Sequence, residues 1–558
     1  MTRYRIYEVC NLFAVAVLLG GCSTTGYKEK ADAEAYGLIL EKNDLVPGMV
    51  EDFSIESREK AEFSGFPTNQ DSYEFLGDEA DSEIGSYMLT LNEALDLAVK
   101  HSRSYQSRKE QLFSQALQLS LARHQFDPIF SGNIGATHTW DTRDEFTSLT
   151  TSDVVSQTSG SVSTGLGVSK LMKGGGRLAF NLSSNFFRYL TGNSGESASS
   201  VLIGSFTQPL LQGAGRKVTM ENLTQSERNL LYSLRDFTRF RKEFAVQITS
   251  SYYGVLRSKD SARNNYLRLK SFEVSLVKER AFLVEGFNTP GDVARLEQDT
   301  LSSDSSWTSS INSYQESLDR FKIQLGISID EPLVLDDAEL ALLTTGDPIL
   351  PGLTLSEATD VALVTRLDLY TEMDQILDAE RKIVVAANGM KPRMDLLIES
   401  RVNSKDGNRV SALDFQRHEY TVGVDLELPF DRKADRNNYR TSLINLEVAR
   451  RSADEFIDNV KLAVRNAWRD LEQSNRDYAI ALLQVELNVD RVEFEKILSE
   501  NGEGDIQDLV DAQNALTGAQ TSLTGFMVQQ RVALLQFWRD VGILYVNEDG
   551  RWEKQSDD

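Results

Sequence analysis

Two stretches of the chain carry the same amphipathic pattern. From Leu89 it reads LTLNEALDLAV, and from Leu353 it reads LTLSEATDVAL. Both have the apolar spacing of a helix, and both open with a threonine followed three residues later by a glutamate. Thr90 with Glu93, and Thr354 with Glu357, predict a capping box at each helix start. The two stretches lie 264 positions apart. The register persists through Gln111 and Gln375, Ala122 and Ala386, to Pro128 and Pro392. A register kept that long predicts an internal duplication.

After each of these prolines the period switches to two. Tyr420, Val422, Val424, Leu426 and Leu428 alternate with Thr421, Gly423, Asp425 and Glu427. Leu396, Ile398 and Val402 alternate in the same way with Leu397, Glu399 and Arg401. In the first half the runs are 129–140, 160–171, 175–187 and 200–208, with Val162, Leu166, Val168, Leu178, Phe180 and Leu182 on the apolar side. Segments of ~10 residues with one apolar and one polar side fit strands of a membrane barrel, and a soluble sheet packed on one face alternates likewise. Polar residues on one side, and Trp140, Phe186, Phe187 and Tyr189 near strand ends, favour the barrel. Residues 141–158 and 190–199, rich in Ser, Thr, Gly and Asp, read as exposed loops.

Each strand block closes on a proline, Pro209 in FTQPLLQG and Pro429 in LELPFDRK, where a missing donor costs no interior bond. A long helical pattern follows each. Phe237, Phe240, Phe244, Ile248, Tyr252 and Leu256 form one stripe, and no proline interrupts 210–289 or 430–558. Some 65 helical residues would reach ~100 Å before a return helix. The second copy is expected over about 437–500, returning over 505–544. Between these helices lies GEGDIQDLVDAQ, Gly502 to Gln513, whose glycines suit a tight reversal. Gly286 precedes Asp292 as Gly502 precedes Asp508. The same shift of 216 pairs Leu318 with Leu534, Phe321 with Phe537, Gly326 with Gly542 and Ile327 with Ile543. Two helical hairpins with acidic tips are therefore predicted.

Composition narrows the function. A net charge of −25 argues against a nucleic-acid partner, because phosphate binding needs basic patches. The four histidines (101, 124, 138, 418) are scattered and there are two cysteines. No metal site, cofactor site or catalytic constellation assembles from them, so no enzyme activity is expected. Asp508 and Asp511, three apart on one helix face, could in principle serve as an acid–base pair, but no nucleophile or metal partner accompanies them.

The N-terminus reads as an address. Arg3 and Arg5 precede the apolar run Leu12 to Leu19, too short to span a bilayer in a helix. Residues 1–21 are expected to be a signal peptide. Residues 22–88, polar and acidic, read as a tether or weakly ordered wrap. The remaining divisions are a first repeat at 89–331, a linker at 332–352, a second repeat at 353–545 and a polar tail at 546–558.

Taken together, LTLxEAxDxA, the strand-ending QPLL and LPF blocks and the GxxxxxDLVDAQ tip resemble the TolC family of outer-membrane channels, over about residues 89–545. The resemblance implies a mixed α+β membrane protein: a homotrimer whose shared transmembrane β-barrel continues as a long periplasmic α-helical barrel. It implies a passive conduit in a tripartite efflux or secretion system, joined by a periplasmic adaptor to an inner-membrane pump of RND or ABC type. Leu19-Gly20-Gly21-Cys22 resembles a lipobox, which implies lipidation of Cys22, and Ser23 favours sorting to the outer membrane of a Gram-negative-type bacterium. By the same resemblance Asp508 and Asp511 match paired aspartates of the periplasmic gate, with Asp292 on the neighbouring hairpin. Capping of helix N-termini is the other role open to them, and the two can coexist.

Gly286, Phe287, Asn288 and Thr289, with Gly502, Glu503 and Gly504, would form the tips that dock the adaptor. The family's closing Tyr and Arg are replaced by Ser499 and Gly504, so that latch is expected to be missing or supplied elsewhere. The family has two strands per half, whereas the first half here has four runs. The extra hairpin around Gly174-Gly175-Gly176 either enlarges the barrel or extends a loop; four barrel strands per protomer, twelve per trimer, are expected. A non-channel periplasmic coiled-coil lipoprotein is the competing reading. Mass spectrometry of the mature N-terminus tests the anchor: a chain beginning at an acylated Cys22 is expected, and an unmodified or different first residue would overturn it.

Overall fold

The computed structural model describes residues 24–49, 53–56, 63, 65–148, 151–191, 195–286, 289–344, 352–405, 413–501 and 504–553. In chain order the main elements are α1 (Thr24–Asn43), β1 (Tyr87–Leu89), α2 (Leu91–His101) and α3 (Arg103–His124). The first strand block follows as β2 (Ile129–Ser148), β3 (Thr151–Leu171), β4 (Arg177–Tyr189) and β5 (Glu196–Pro209). Next come α4 (Glu221–Glu285), α5 (Pro290–Leu325), β6 (Leu333–Leu335), α6 (Leu355–Thr365) and α7 (Leu367–Gly389). The chain continues through β7 (Arg393–Ser404), β8 (Leu413–Glu427), α8 (Lys433–Glu500), α9 (Ile506–Val541), β9 (Tyr545–Val546) and β10 (Trp552–Glu553). Two compact units result, one of Met1–Leu38, Gln115–Leu230 and Glu372–Ala453, the other of Ile39–Ser114, Leu231–Thr371 and Asp454–Asp558.

The first unit is built on one antiparallel sheet in the order β2-β3-β4-β5-β7-β8. Four strands per chain were expected, and the sheet has six, because both hairpins of the first half join it. Residues 141–148 and 151–158, expected as loop, extend β2 and β3 instead. Ser and Thr occur in strands as well as in loops, so composition did not separate the two. Near the sheet, Asn388 accepts from the Gly213 amide at 2.7 Å and donates to the Leu211 carbonyl at 3.2 Å. Arg381 pairs with Glu221 at 3.1 Å and with Asp378 at 2.8 Å.

The second unit shows both sequence registers at once. α2 and α6 start at residues 264 apart, each behind its threonine–glutamate capping box. α5 and α9 are both 36 residues long and end alike, at Gly326 (φ 80°) and Gly542 (φ 91°). Each glycine is left-handed and donates its amide to the last turn, as in a Schellman-type stop. A side chain at Gly326 would strike the His101 carbonyl, and one at Gly542 would strike Thr365, the residue 264 positions after His101. The cores match too. Phe321 meets Tyr252 edge-on at 6.0 Å, and Phe537 meets Trp468 edge-on at 5.8 Å, each partner shifted by 216. Around Phe537 pack Ala358, Ala362, Val464, Leu471, Leu534 and Val541.

The stretch read as an acidic tether is more ordered than its composition suggested. It contains the 20-residue helix α1, with Ala35, Leu38 and Ile39 buried. Further on, Glu83 accepts from the Tyr314 hydroxyl at 2.6 Å and pairs with Lys259 at 3.1 Å. Lys259 is 2 % exposed, lies 4.2 Å from the Tyr73 ring centre and reaches Asp337 at 3.5 Å. Burial first, then the Glu83 charge, holds the Tyr314 hydroxyl well above its ordinary pKa, so it remains a donor. The described part of the C-terminal tail is held as well: β9 pairs with β10, and Arg241 donates to the carbonyls of Val546 and Asn547. Among the described residues no helix is long and apolar enough to cross a membrane.

A buried charge left without its partner is costly. Lys259→Ala is expected to destabilise the second unit by about 3–5 kcal/mol, while Lys259→Met with Glu83→Gln is expected to be far milder. Denaturant unfolding of the two variants checks this.

Candidate functional site

The acidic tips lie in the second unit, where helix ends and core packing position them. α5 opens at Thr289, whose hydroxyl donates to Asp292 Oδ2 at 2.6 Å and whose backbone amide donates to the same oxygen at 3.2 Å. In return the Asp292 amide donates to Thr289 Oγ1 at 3.3 Å, completing a capping box with Pro290 at the first helical position. Gly286 (φ 81°) sits just past the end of α4, in the left-handed conformation expected of it.

At the second tip the cap is Asp505, which accepts from the Gln507 amide at 2.9 Å. Gln507 Nε2 in turn donates to Asp511 at 3.0 Å. Gly504 departs from expectation: its backbone is not left-handed. A Cβ there would lie 2.9 Å from the Ser499 nitrogen and 3.2 Å from the Leu498 carbonyl carbon, so close chain approach is what requires glycine.

Which side of α9 faces outward is set by a small apolar clamp. Val510 packs with Phe272 of α4 and Leu296 of α5, and Leu276 and Ile506 flank them. Leu509, Val510, Ala512 and Gln513 are buried, whereas Asp505, Asp508 and Asp511 are exposed. Asp508 and Asp511, three apart, therefore share the outer stripe of the helix. The structure brings both hairpins together at the clamp, and holds Asp292 as a cap of α5.

Lys278 and Glu279, near the tip, were not singled out by sequence reasoning. Lys278 donates to Ser499 Oγ at 3.4 Å, and Ser499 donates to Glu279 at 3.3 Å. Ser499 thus bridges α8 to α4 within one chain. The Phe272–Leu276 spacing was readable as helical stripe, but nothing in the sequence says that this stripe meets Val510. Cys22, Phe287, Asn288, Gly502 and Glu503 lie outside the described residues.

Solved structures share this architecture. The Campylobacter jejuni CmeC outer membrane channel superposes with a TM-score of 0.60 at 13% identity, covering 91% of this chain and 94% of that one. CusC, described in terms of transmembrane channel formation, gives 0.59 at 12% identity, covering 89% and 98%. The open state of the Neisseria gonorrhoeae MtrE outer membrane channel gives 0.55 at 13%, covering 90% and 100%. The chain has the fold of TolC-type outer-membrane channels. No protein-family model and no curated protein sequence matches it. These channel-fold neighbours are channels and not enzymes, and the likeness runs through both repeats of this chain.

Hydrogen bonding from the Thr289 hydroxyl, and then from its amide, holds the Asp292 carboxyl below its usual range. Because folding lowers this pKa, the cap's contribution is present above the unfolded carboxyl value of ~3.9 and is lost as pH falls through the folded value. Amide exchange at the start of α5, corrected for intrinsic rates, is expected to be flat from about pH 8 to about pH 5 and to rise below about pH 4. Asp292→Ala is expected to show the faster exchange already at neutral pH.

Proposed function

We propose that this chain is the outer-membrane channel component of a tripartite efflux or secretion system. The observation that carries the reading is the pairing of two structures in one chain. One is a sheet that exposes apolar side chains such as Leu166 and Val422 on one face, and the other is a duplicated set of helical hairpins with acidic tips. Three copies would give their sheets to one β-barrel in the outer membrane and their hairpins to one α-helical barrel in the periplasm. Cys22, lipidated, would add a second attachment to the membrane. No reaction takes place in the conduit: the pump supplies the energy, and the adaptor grips the tips at Gly286–Thr289 and Gly502–Gly504.

In such a trimer, three copies each of Asp508 and Asp511 would ring the periplasmic mouth. Stacked carboxylates in a narrow passage favour cations and exclude anions. The Ser499 bridge to Lys278 and Glu279 would hold each protomer's hairpins together at the tip, as an intrachain stand-in for the absent Tyr and Arg latch.

Single-channel recording in planar bilayers tests this. Discrete cation-selective currents are expected, and Asp508→Asn with Asp511→Asn is expected to lower the cation-to-anion permeability ratio by at least ~2-fold. Currents unchanged by the substitutions would leave the channel and remove the acidic gate. A folded protein that never inserts would favour the periplasmic coiled-coil lipoprotein instead.

A further inference from the structure

We infer that all six strands stand in the outer membrane, so that three copies close a barrel of eighteen strands, six from each, rather than the twelve that the family resemblance implies. The inference rests on the trimeric-channel reading above. Its basis is the register of the sheet. Following the paired residues across from β2 to β8, one row reads Phe130, Val168, Phe180, Gly204, Ser400, Tyr420. The next row reads Ser131, Gly167, Asn181, Ile203, Arg401, Glu419, and the one after it Gly132, Leu166, Leu182, Leu202, Val402, His418. The first and third rows point to one face and are mainly apolar; the second points to the other and is mainly polar or small.

A slip of one residue at any strand would invert this pattern, and none occurs across these rows. A hairpin that merely extended a loop would have no reason to align its apolar set with β5, β7 and β8. Yet Leu166, Phe180 and Val422 lie on one side and are 64, 48 and 70 % exposed, so apolar side chains of both the extra hairpin and β8 face outward together. From Leu178 to Phe186 the apolar face of β4 runs nine residues, about 30 Å along the strand and some 20 Å in height at the usual tilt, which approaches the ~25 Å apolar band of such barrels.

The hairpin also crosses the sheet from end to end. Its turn at Met172–Gly176 lies where β5 leaves for the helices: the Gly215 amide donates to the Gly174 carbonyl at 3.1 Å, and Gly175 (φ 97°) is crowded by the Gly213 carbonyl and Pro209. At the sheet's margins, β2 and β8 each have one side unpaired. An open edge is not tolerated in lipid, and six strands are fewer than the smallest single-chain barrel. The occupant of each edge is a second copy of this chain, β8 of one against β2 of the next. Since diameter grows with strand number, the barrel would be about half as wide again as a twelve-stranded one.

Site-directed fluorophores in lipid bilayers containing nitroxide-labelled lipid test this, with single labels at Leu166→Cys, Leu182→Cys, Asn181→Cys and Val422→Cys. Quenching at 166 and 182 equal to that at 422, with little at 181, is expected. Quenching at 422 but not at 166 and 182 would overturn the inference and leave the channel reading intact. No quenching at any position would overturn both. Cryo-electron microscopy of the unmodified chain in lipid nanodiscs reads the count directly: eighteen strands support the inference, and twelve refute it.

Discussion

A β-sheet that is apolar on one face and unpaired along two edges is stable neither in water nor, by itself, in lipid. Water penalises the face, and lipid penalises the edges. The six strands between Ile129 and Glu427 form such a sheet, with Phe130, Leu166 and Val422 uncovered. Both penalties are relieved together only if the edges meet copies of themselves inside a membrane. The proposed trimer would relieve both at once: the strand edges would find a partner, and the apolar side chains hydrocarbon.

The helices obey a different constraint, that of being built twice. Each copy must stop its return helix and turn it against the end of the helix that opens the repeat. Gly326 against His101 and Gly542 against Thr365 are two instances of one solution, because a Cβ at either glycine would collide with that helix end. The edge-on aromatic pairs, Tyr252 with Phe321 and Trp468 with Phe537, show the same economy in the core, with tyrosine exchanged for tryptophan. Where the copies differ is in the strands. The first half carries an extra hairpin and the second does not, which a sheet tolerates because adding a strand pair leaves the register of its neighbours unchanged.

Much of this was legible in the sequence, for identifiable reasons. Helix starts were marked by Thr90–Glu93 and Thr354–Glu357, and both capping boxes form. Gly326 and Gly542 fell at helix ends, where left-handed glycine is common. The strand count was less legible, since the long ends of β2 and β3 are made of the Ser, Thr and Asp that also make loops. The 22–88 stretch misled because acidic composition reports solvation, whereas its order comes from a few burials, Ala35, Leu38 and Glu83 among them. At the tips, sequence spacing placed the acids on helix starts, but it could not show that Val510 faces Phe272 and Leu296, nor that Ser499 joins Lys278 and Glu279. Those contacts unite residues more than 200 positions apart, and no local pattern encodes them.

Capping and gating need not compete for the same carboxylates, and the geometry divides the labour. Asp292 is bound by Thr289, Asp505 by the Gln507 amide, and Asp511 by the Gln507 side chain. Asp508 lies exposed in the first turn of α9, and among the described residues no hydrogen bond or ion pair reaches it. A carboxylate exposed at a helix start and not neutralised by any described side chain projects its field outward into whatever passage the tips surround. In the proposed channel, Asp508 would be the one among the described tip acids whose charge is most available to permeating ions, with Asp511 beside it on the same stripe and partly screened by its amide partner.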